Sequence, residues 1–330
     1  MSLLELGEAG LYCPAGDFYV DPWGAVDRAV VTHAHSDHAR PGSRAYFTAV
    51  DNVRLLAERL GPDAHVQAAE YGERISMGEA TVSLHPAGHI LGSAQVRIEL
   101  RGEVWVVSGD YKLAADPTCP PYEPLRCHTF VTESTFGLPI FRWPDASEVF
   151  ETVRTWWNAN RQAGKASILF CYPLGKAQRI LAGLDESFGP IYAHGAVERY
   201  NRLYRERGVR LAATPPPGPQ WRQALILAPP SCQGSPWMRR FPGASTALAS
   251  GWMRIRGTRR RRSLDRGFVL SDHADWPALV GAIDETRAES VWVTHGFRAP
   301  MVRWLEEHGR AARAVEANFE GVREEPECDS

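Results

Sequence analysis

Four side chains able to bind a metal ion fall within six residues of this sequence. They lie in Val30-Val31-Thr32-His33-Ala34-His35-Ser36-Asp37-His38. Neutral imidazole nitrogen and carboxylate oxygen suit Zn²⁺, and also Mn²⁺ or Fe²⁺. His33 and His35 are two residues apart, so an extended loop points both to one side. Asp37 and His38 can then turn to a second ion nearby. A polar loop rich in histidine by chance is the bland alternative, and this density of ligand types is rare in such loops.

Three further stretches have the same design, a strand or glycine loop that presents one polar residue. Pro86-Ala87-Gly88-His89-Ile90-Leu91-Gly92-Ser93-Ala94 offers His89, Val106-Val107-Ser108-Gly109-Asp110 offers Asp110, and Val291-Trp292-Val293-Thr294-His295-Gly296 offers His295. Any one of them alone reads as an ordinary surface-loop residue. Beside the first cluster they read as ligands. Two divalent ions would bring four positive charges, of which Asp37 and Asp110 offset two. The surplus suits an activated water and an anionic substrate, the situation of a two-metal phosphodiester hydrolysis.

The elements that must position these residues follow from patterning. Ala29 to Thr32 reads as a strand feeding the ligand loop. Gln95 to Leu100 alternates, with Val96, Ile98 and Leu100 on one face, and Arg101-Gly102 turns the chain into a buried strand at Val104 to Val107. Asp51 to Leu60 has helical spacing and stops at Gly61-Pro62. From about residue 145 the pattern changes. Asp145-x-x-Glu148 resembles a capping box, followed by Val149, Val153, Trp156 and Trp157 at helical spacing. Strands at Ser167 to Tyr172, Pro190 to Ala193 and Ala224 to Ala228 alternate with helices at Lys176 to Ser187 and Val197 to Arg207, which predicts parallel βαβ units. No G-x-G-x-x-G accompanies them, so a dinucleotide site is not supported. A strand at Phe268 to Leu270, a helix at Ala274 to Thr286, a strand at Val291 to Val293 and a helix at Ala299 to His308 complete the pattern.

The 330 residues are 44% hydrophobic and 23% charged, which excludes a disordered chain. Lys+Arg is 37 and Asp+Glu 39, a net charge of −2, so binding by bulk positive charge is excluded as well. A nucleic-acid site must be local. The stretch 254–266 supplies a patch through Arg254, Arg256, Arg259, Arg260, Arg261, Arg262 and Arg266. Lys176, after a glycine at a helix start, is a candidate phosphate contact. Trp143, Trp237 and Trp252 are candidates for stacking on bases, whereas Trp156 and Trp157 read as core. The six cysteines are scattered with no C-x-x-C pair, as expected of reduced thiols in a cytoplasmic protein. No apolar run is long enough to span a membrane, and the N-terminus lacks the basic and apolar parts of a secretory signal.

The string Thr32-His33-Ala34-His35-Ser36-Asp37-His38-Ala39, followed by His89 and Asp110, resembles the H-x-H-x-D-H signature of the metallo-β-lactamase superfamily. Val131-Thr132-Glu133-Ser134-Thr135-Phe136-Gly137, Leu270-Ser271-Asp272-His273-Ala274-Asp275 and Thr294-His295-Gly296 look like the three extra motifs of its β-CASP branch of nucleases. The resemblance extends over about residues 10 to 310, and is greatest to the bacterial ligase-associated DNA exonuclease group.

The resemblance implies an α/β fold: an αββα sandwich over 1–138 and 264–330, with an α/β β-CASP cap inserted over 139–263. It implies two divalent ions, foremost Zn²⁺. His33, His35 and His89 would hold the first, and Asp37, His38 and His295 the second, with Asp110 bridging. Asp21 would orient a ligand histidine, and Glu133 would hydrogen-bond His273, which would protonate the leaving 3′-oxygen. The implied function is a DNA exonuclease on single-stranded or frayed ends, 5′→3′ by analogy with the Pso2-type members, with DNA ligase and helicase as repair partners. His295 and Glu133 also resemble RNA-cleaving members, so a ribonuclease stays open. A thioester or lactam hydrolase and a non-catalytic platform are the remaining alternatives.

Overall fold

The computed structural model describes residues 2–315 apart from 185, 256 and 258–262. Arg256 and Arg259 to Arg262 of the arginine patch therefore lie outside the described residues. The described chain divides into two compact units, one from 2–141 and 273–315, the other from 142–272.

The first unit contains two sheets. One runs in chain order through β1 (Glu5–Gly7), β2 (Gly10–Cys13), β3 (Phe18–Val20), β4 (Arg28–Val30), β5 (Ala45–Ala49) and β6 (Val66–Ala69), with helix α1 (Val53–Leu60) between the last two strands. The other has seven strands: β7 (Ile75–Met77), β8 (Ala80–Pro86), β9 (Ala94–Leu100), β10 (Glu103–Val107), β11 (Thr129–Glu133), β17 (Ser290–Thr294) and β18 (Ala311–Ala314). Its order is β18-β17-β11-β10-β9-β8-β7.

Period-two alternation divides each strand between two cores. Trp105, Val107, Val131 and Trp292 join Phe18, Val20, Val30 and Phe47 of the first sheet in one buried cluster, so the two sheets face each other. Val104, Val106, Phe130, Val291 and Val293 point the other way, onto α5 (Trp276–Thr286) and α6 (Arg298–Glu307). Ala29, Val31 and Tyr46 pack against Leu56 of α1 on the outer face of the first sheet. The result is the expected αββα sandwich.

The second unit is built on a five-stranded, all-parallel sheet of β12 (Ser167–Phe170), β13 (Ile191–Ala193), β14 (Leu225–Ala228), β15 (Ser245–Ala249) and β16 (Arg266–Phe268). Its order is β13-β14-β12-β15-β16. Every residue of β12 and β14 is buried, as a parallel sheet covered on both faces requires. Helices α2 (Ala146–Gln162), α3 (Lys176–Gly183) and α4 (Gly195–Glu206) cover one face through Val153, Trp156, Trp157, Ile180 and Val197. Asp145 caps α2 by accepting from Ser147 N at 2.8 Å. Residues 266–268, expected with the third sequence segment, pair with β15 and so belong to this unit.

Candidate metal centre

The ligand-type residues gather because of strand direction. β10, β11 and β17 are parallel, and β8 is antiparallel to β9, itself antiparallel to β10. The carboxyl ends of β8, β10, β11 and β17 therefore share one edge. His89 follows β8, Asp110 follows β10, Glu133 ends β11 and His295 follows β17. The loop after β4, carrying His33 to His38, is tied to this edge by Ala94 N donating to Thr32 O at 2.9 Å.

Two clusters result. In the first, His35 Nδ1 lies 3.1 Å from both His33 Nε2 and His89 Nε2. Asp110 Oδ2 is 3.6 Å from His33 Nε2 and 3.8 Å from His89 Nε2. Four ligands on a tetrahedral Zn²⁺ at its usual bond lengths stand about 3.3 Å apart, so this spacing fits the ion. In the second, His38 Nε2 is 3.8 Å from Asp37 Oδ2 and 3.4 Å from Asp110 Oδ2, with the His295 ring stacked 5.0 Å from that of His38. Asp110 touches both clusters.

Hydrogen bonds set which ring nitrogen faces the centre. Thr32 Oγ1 donates to Asp21 Oδ2 at 2.7 Å, so its oxygen accepts from His33 Nδ1 at 3.0 Å. His38 Nδ1 donates to Asp21 Oδ2 at 2.7 Å. Thr294 Oγ1 donates to Thr132 O, so it accepts from His295 Nδ1, both at 3.1 Å. In all three rings the proton sits on Nδ1 and the Nε2 lone pair is left for an ion. Sequence reasoning did not single out Thr32. Its place between a strand and the first histidine was the available signal.

Electrostatics point the same way. Burial, then His38, His35 and His89, push the His33 imidazole well below its ordinary pKa, so it is neutral as a ligand must be. Burial raises the Asp110 carboxyl, but His38 and His273 outweigh it and hold the group well below the usual carboxylate range. Burial lowers His38, and Asp110, Asp37 and Asp21 outweigh that and raise it well above its ordinary value. Carboxylates that hold a proton on His38 would equally hold a cation.

A third group adjoins these two. His273 Nδ1 lies 2.9 Å and 3.1 Å from the oxygens of Glu133, which is 1% exposed, and 3.9 Å from Asp110 Oδ2. Tyr111 N also donates to Glu133 Oε1 at 2.8 Å. Backbone conformation serves the same edge. Gly109, before Asp110, has φ +56, and a Cβ there would meet Thr32 Cβ at 2.7 Å.

The candidate nucleic-acid contacts fare differently. Arg254 is exposed, just after β15. Lys176 is corrected by the structure. It is 4% exposed, and its ammonium donates to Asp272 Oδ2 at 2.6 Å, so it faces a buried carboxylate and not solvent. Three histidines outside these clusters have partners of their own: His85 meets Glu123, His128 Nδ1 accepts from Val104 N, and His194 caps α4. No helix among the described residues is long and apolar enough to cross a membrane.

No family model matches the chain. It is 31% identical, over 96% of its length, to a protein of Opitutus terrae named probable DNA ligase, of which it spans only 32%. It is 28% identical, over 78% of its length, to a Thermus thermophilus protein named ribonuclease TTHA0252, covering 67% of that protein. An Enterococcus faecalis structure described as a protein of unknown function superposes with a TM-score of 0.59 at 12% identity, covering 88% of this chain and 79% of that one, a likeness of fold alone. The order of ligands along the chain, the sandwich that gathers them and these relatives agree, and the chain belongs to the nuclease-type β-CASP branch of the metallo-β-lactamase superfamily.

Proposed function

We propose that this chain is a metal-dependent phosphodiesterase that removes nucleotides from single-stranded or frayed DNA ends, 5′→3′, in repair completed by a ligase. The observation that carries the reading is the convergence of both clusters on Asp110, with the His273–Glu133 pair 3.9 Å from the same carboxylate oxygen. Two divalent ions, Zn²⁺ foremost with Mn²⁺ or Fe²⁺ as alternatives, would acidify a water and offset the charge on the phosphodiester.

The chain's own residues supply the rest. His33, His35, His89 and Asp110 would hold one ion. Asp37, His38 and His295, with Asp110 3.4 Å from His38 Nε2, would hold the other. Asp21 and Thr32 keep the lone pairs of His38 and His33 turned inward. Glu133 occupies His273 Nδ1 and favours the protonated ring, which leaves Nε2 to give its proton to the departing 3′-oxygen. Arg254, with Arg256 and Arg259 to Arg262 of the same stretch, is assigned to the strand backbone. DNA is preferred because the relative named probable DNA ligase matches over nearly the whole of this chain. The same match motivates ligase, and with it helicase, as repair partners.

The relative named as a ribonuclease supports a second reading, RNA as substrate of the same site. Cleavage of DNA and RNA strands labelled at either end, with His33→Ala and Asp110→Ala beside the unaltered chain, separates the two. DNA shortened from its 5′ end, and lost in both variants, is the expected result. RNA cut while DNA is untouched would replace the DNA reading. Cleavage unaffected by either substitution would remove the metal centre from the reaction.

A further inference from the structure

We propose that the second unit carries a binding pocket for a nucleoside monophosphate, built wholly from its own residues. A cavity of about 460 Å³ opens where β13 ends and α4 begins, closed on another side by the turn Pro236–Arg240. That volume is in the range of small-molecule sites, and ligands of open parallel sheets lie beyond the carboxyl ends of strands. Its chemistry comes from Arg199, Arg240, His194, Trp237, Phe241 and Ile226.

Charge selects an anion. Two guanidiniums line the cavity, and no carboxylate is among the lining residues. The nearby acids of α4 are already paired, Glu198 with Arg205 at 2.8 Å and Glu206 with Arg202 at 3.9 Å. The amino end of the twelve-residue α4 adds a positive dipole at Gly195 and Ala196. Paired, directional donors of this kind recognise phosphate.

Trp237 and Phe241 select an aromatic ring. Trp237 meets His194 edge-on at 5.2 Å and Phe241 at 5.1 Å, an arrangement that holds the indole in place. The Arg240 guanidinium lies 5.9 Å from the Phe241 ring centre. A base could stack on such a surface while its phosphate meets the arginines. The ligand is then a nucleoside monophosphate, either free or as the phosphorylated end of a strand. The inference does not require the metal centre to be active.

The test is calorimetric titration of the full metal-loaded chain with dAMP, deoxyadenosine and inorganic phosphate. Arg240→Gln and Arg199→Gln should each weaken dAMP binding about tenfold or more. Arg239→Gln, an exposed neighbour outside the lining, should not, which controls for folding and for general surface charge. Deoxyadenosine should bind more weakly than dAMP. Asp110→Ala should keep the binding. In that background, a short strand with a 5′-phosphate that competes with dAMP points to strand ends, and one that does not points to the free nucleotide. Either result supports the pocket. Loss with Asp110→Ala but not with the arginine variants would place the nucleotide at the metal centre and overturn it. So would equal binding of deoxyadenosine, or no binding of dAMP at about 1 mM.

Discussion

Asp21→Asn should strip one metal ion selectively. The carboxylate is 7% exposed and has two tasks. Oδ1 accepts from Thr32 N at 2.8 Å, and Oδ2 accepts from both Thr32 Oγ1 and His38 Nδ1 at 2.7 Å. Its φ is +43, a region that asparagine tolerates well, so the backbone should hold. An amide cannot do both tasks. With its oxygen toward Thr32 N, its NH₂ faces His38 Nδ1, and the proton of that ring must move to Nε2, which can then no longer bind an ion. With its oxygen toward His38, its NH₂ opposes the buried Thr32 N–H, and a buried donor is left unsatisfied at about 1–3 kcal/mol. Metal binding at His38 selects the second arrangement, so affinity there should fall about 5- to 150-fold. The loss by His33, His35 and His89 should be much smaller, since none of them touches Asp21. Equilibrium dialysis with Zn²⁺ should show two ions per unaltered chain, and in the variant one tight ion and one weak one. Two ions held with unchanged affinity would refute the tautomer argument. Equal weakening of both would refute the division into two clusters.

Glu133→Gln should leave the metal content at two and lower kcat about 10²- to 10⁴-fold, because it removes the charge that orients and protonates His273; full activity in a metal-replete variant would dismiss His273 as a proton donor. Gly109→Ala should destabilise the first unit by about 2–4 kcal/mol, from a left-handed alanine and the overlap with Thr32, seen as a lower urea midpoint; an unchanged midpoint would mean that the loop shifts freely. Burial pushes the Cys171 thiol up to about 12 from an ordinary 9. The folded value is the higher one, so the group's contribution is complete below pH 9 and is lost as pH rises toward 12. Cys171→Ala should therefore flatten the alkaline fall in stability, and a fall as steep as that of the unaltered chain would contradict this.

The ligand set was legible because its chemistry is local. Four ligand types in six residues are rare enough to stand out without any knowledge of contacts. The αββα sandwich was legible only through the family resemblance, since β1, β2 and β3 are three or four residues long and carry no period of their own. The parallel sheet of the second unit was readable directly from strand and helix alternation. Contacts between distant positions were not readable. Lys176 follows a glycine at a helix start, which by itself suggests a phosphate site. Its partner Asp272 stands 96 residues further on, and that ion pair decides where the ammonium goes. Thr32 was passed over for a similar reason. Its role depends on Asp21, eleven residues earlier and on another strand end, and a threonine at the end of a strand otherwise looks like packing.

Two of the six non-glycine residues with positive φ among those described are Asp21 (φ +43) and His295 (φ +50). Both flank His38, one through a 2.7 Å hydrogen bond and the other through a ring stacked at 5.0 Å. A left-handed residue with a side chain costs roughly 1–2 kcal/mol, and it persists only where its surroundings over-determine it. The surroundings are visible here. Asp21 N donates to Val30 O at 2.9 Å, and Gly296, behind His295, leaves no room for a Cβ, since one would come within 2.4 Å of Thr135 Cα. Neither His33 nor His89 has a positive φ, and beside His89 it is Gly88 that takes the unusual angle, φ +71. The strain therefore lies at the two residues that flank His38. The orientation of the His38 ring is thus set by its neighbours in the fold, the arrangement expected where geometry has to be ready in advance.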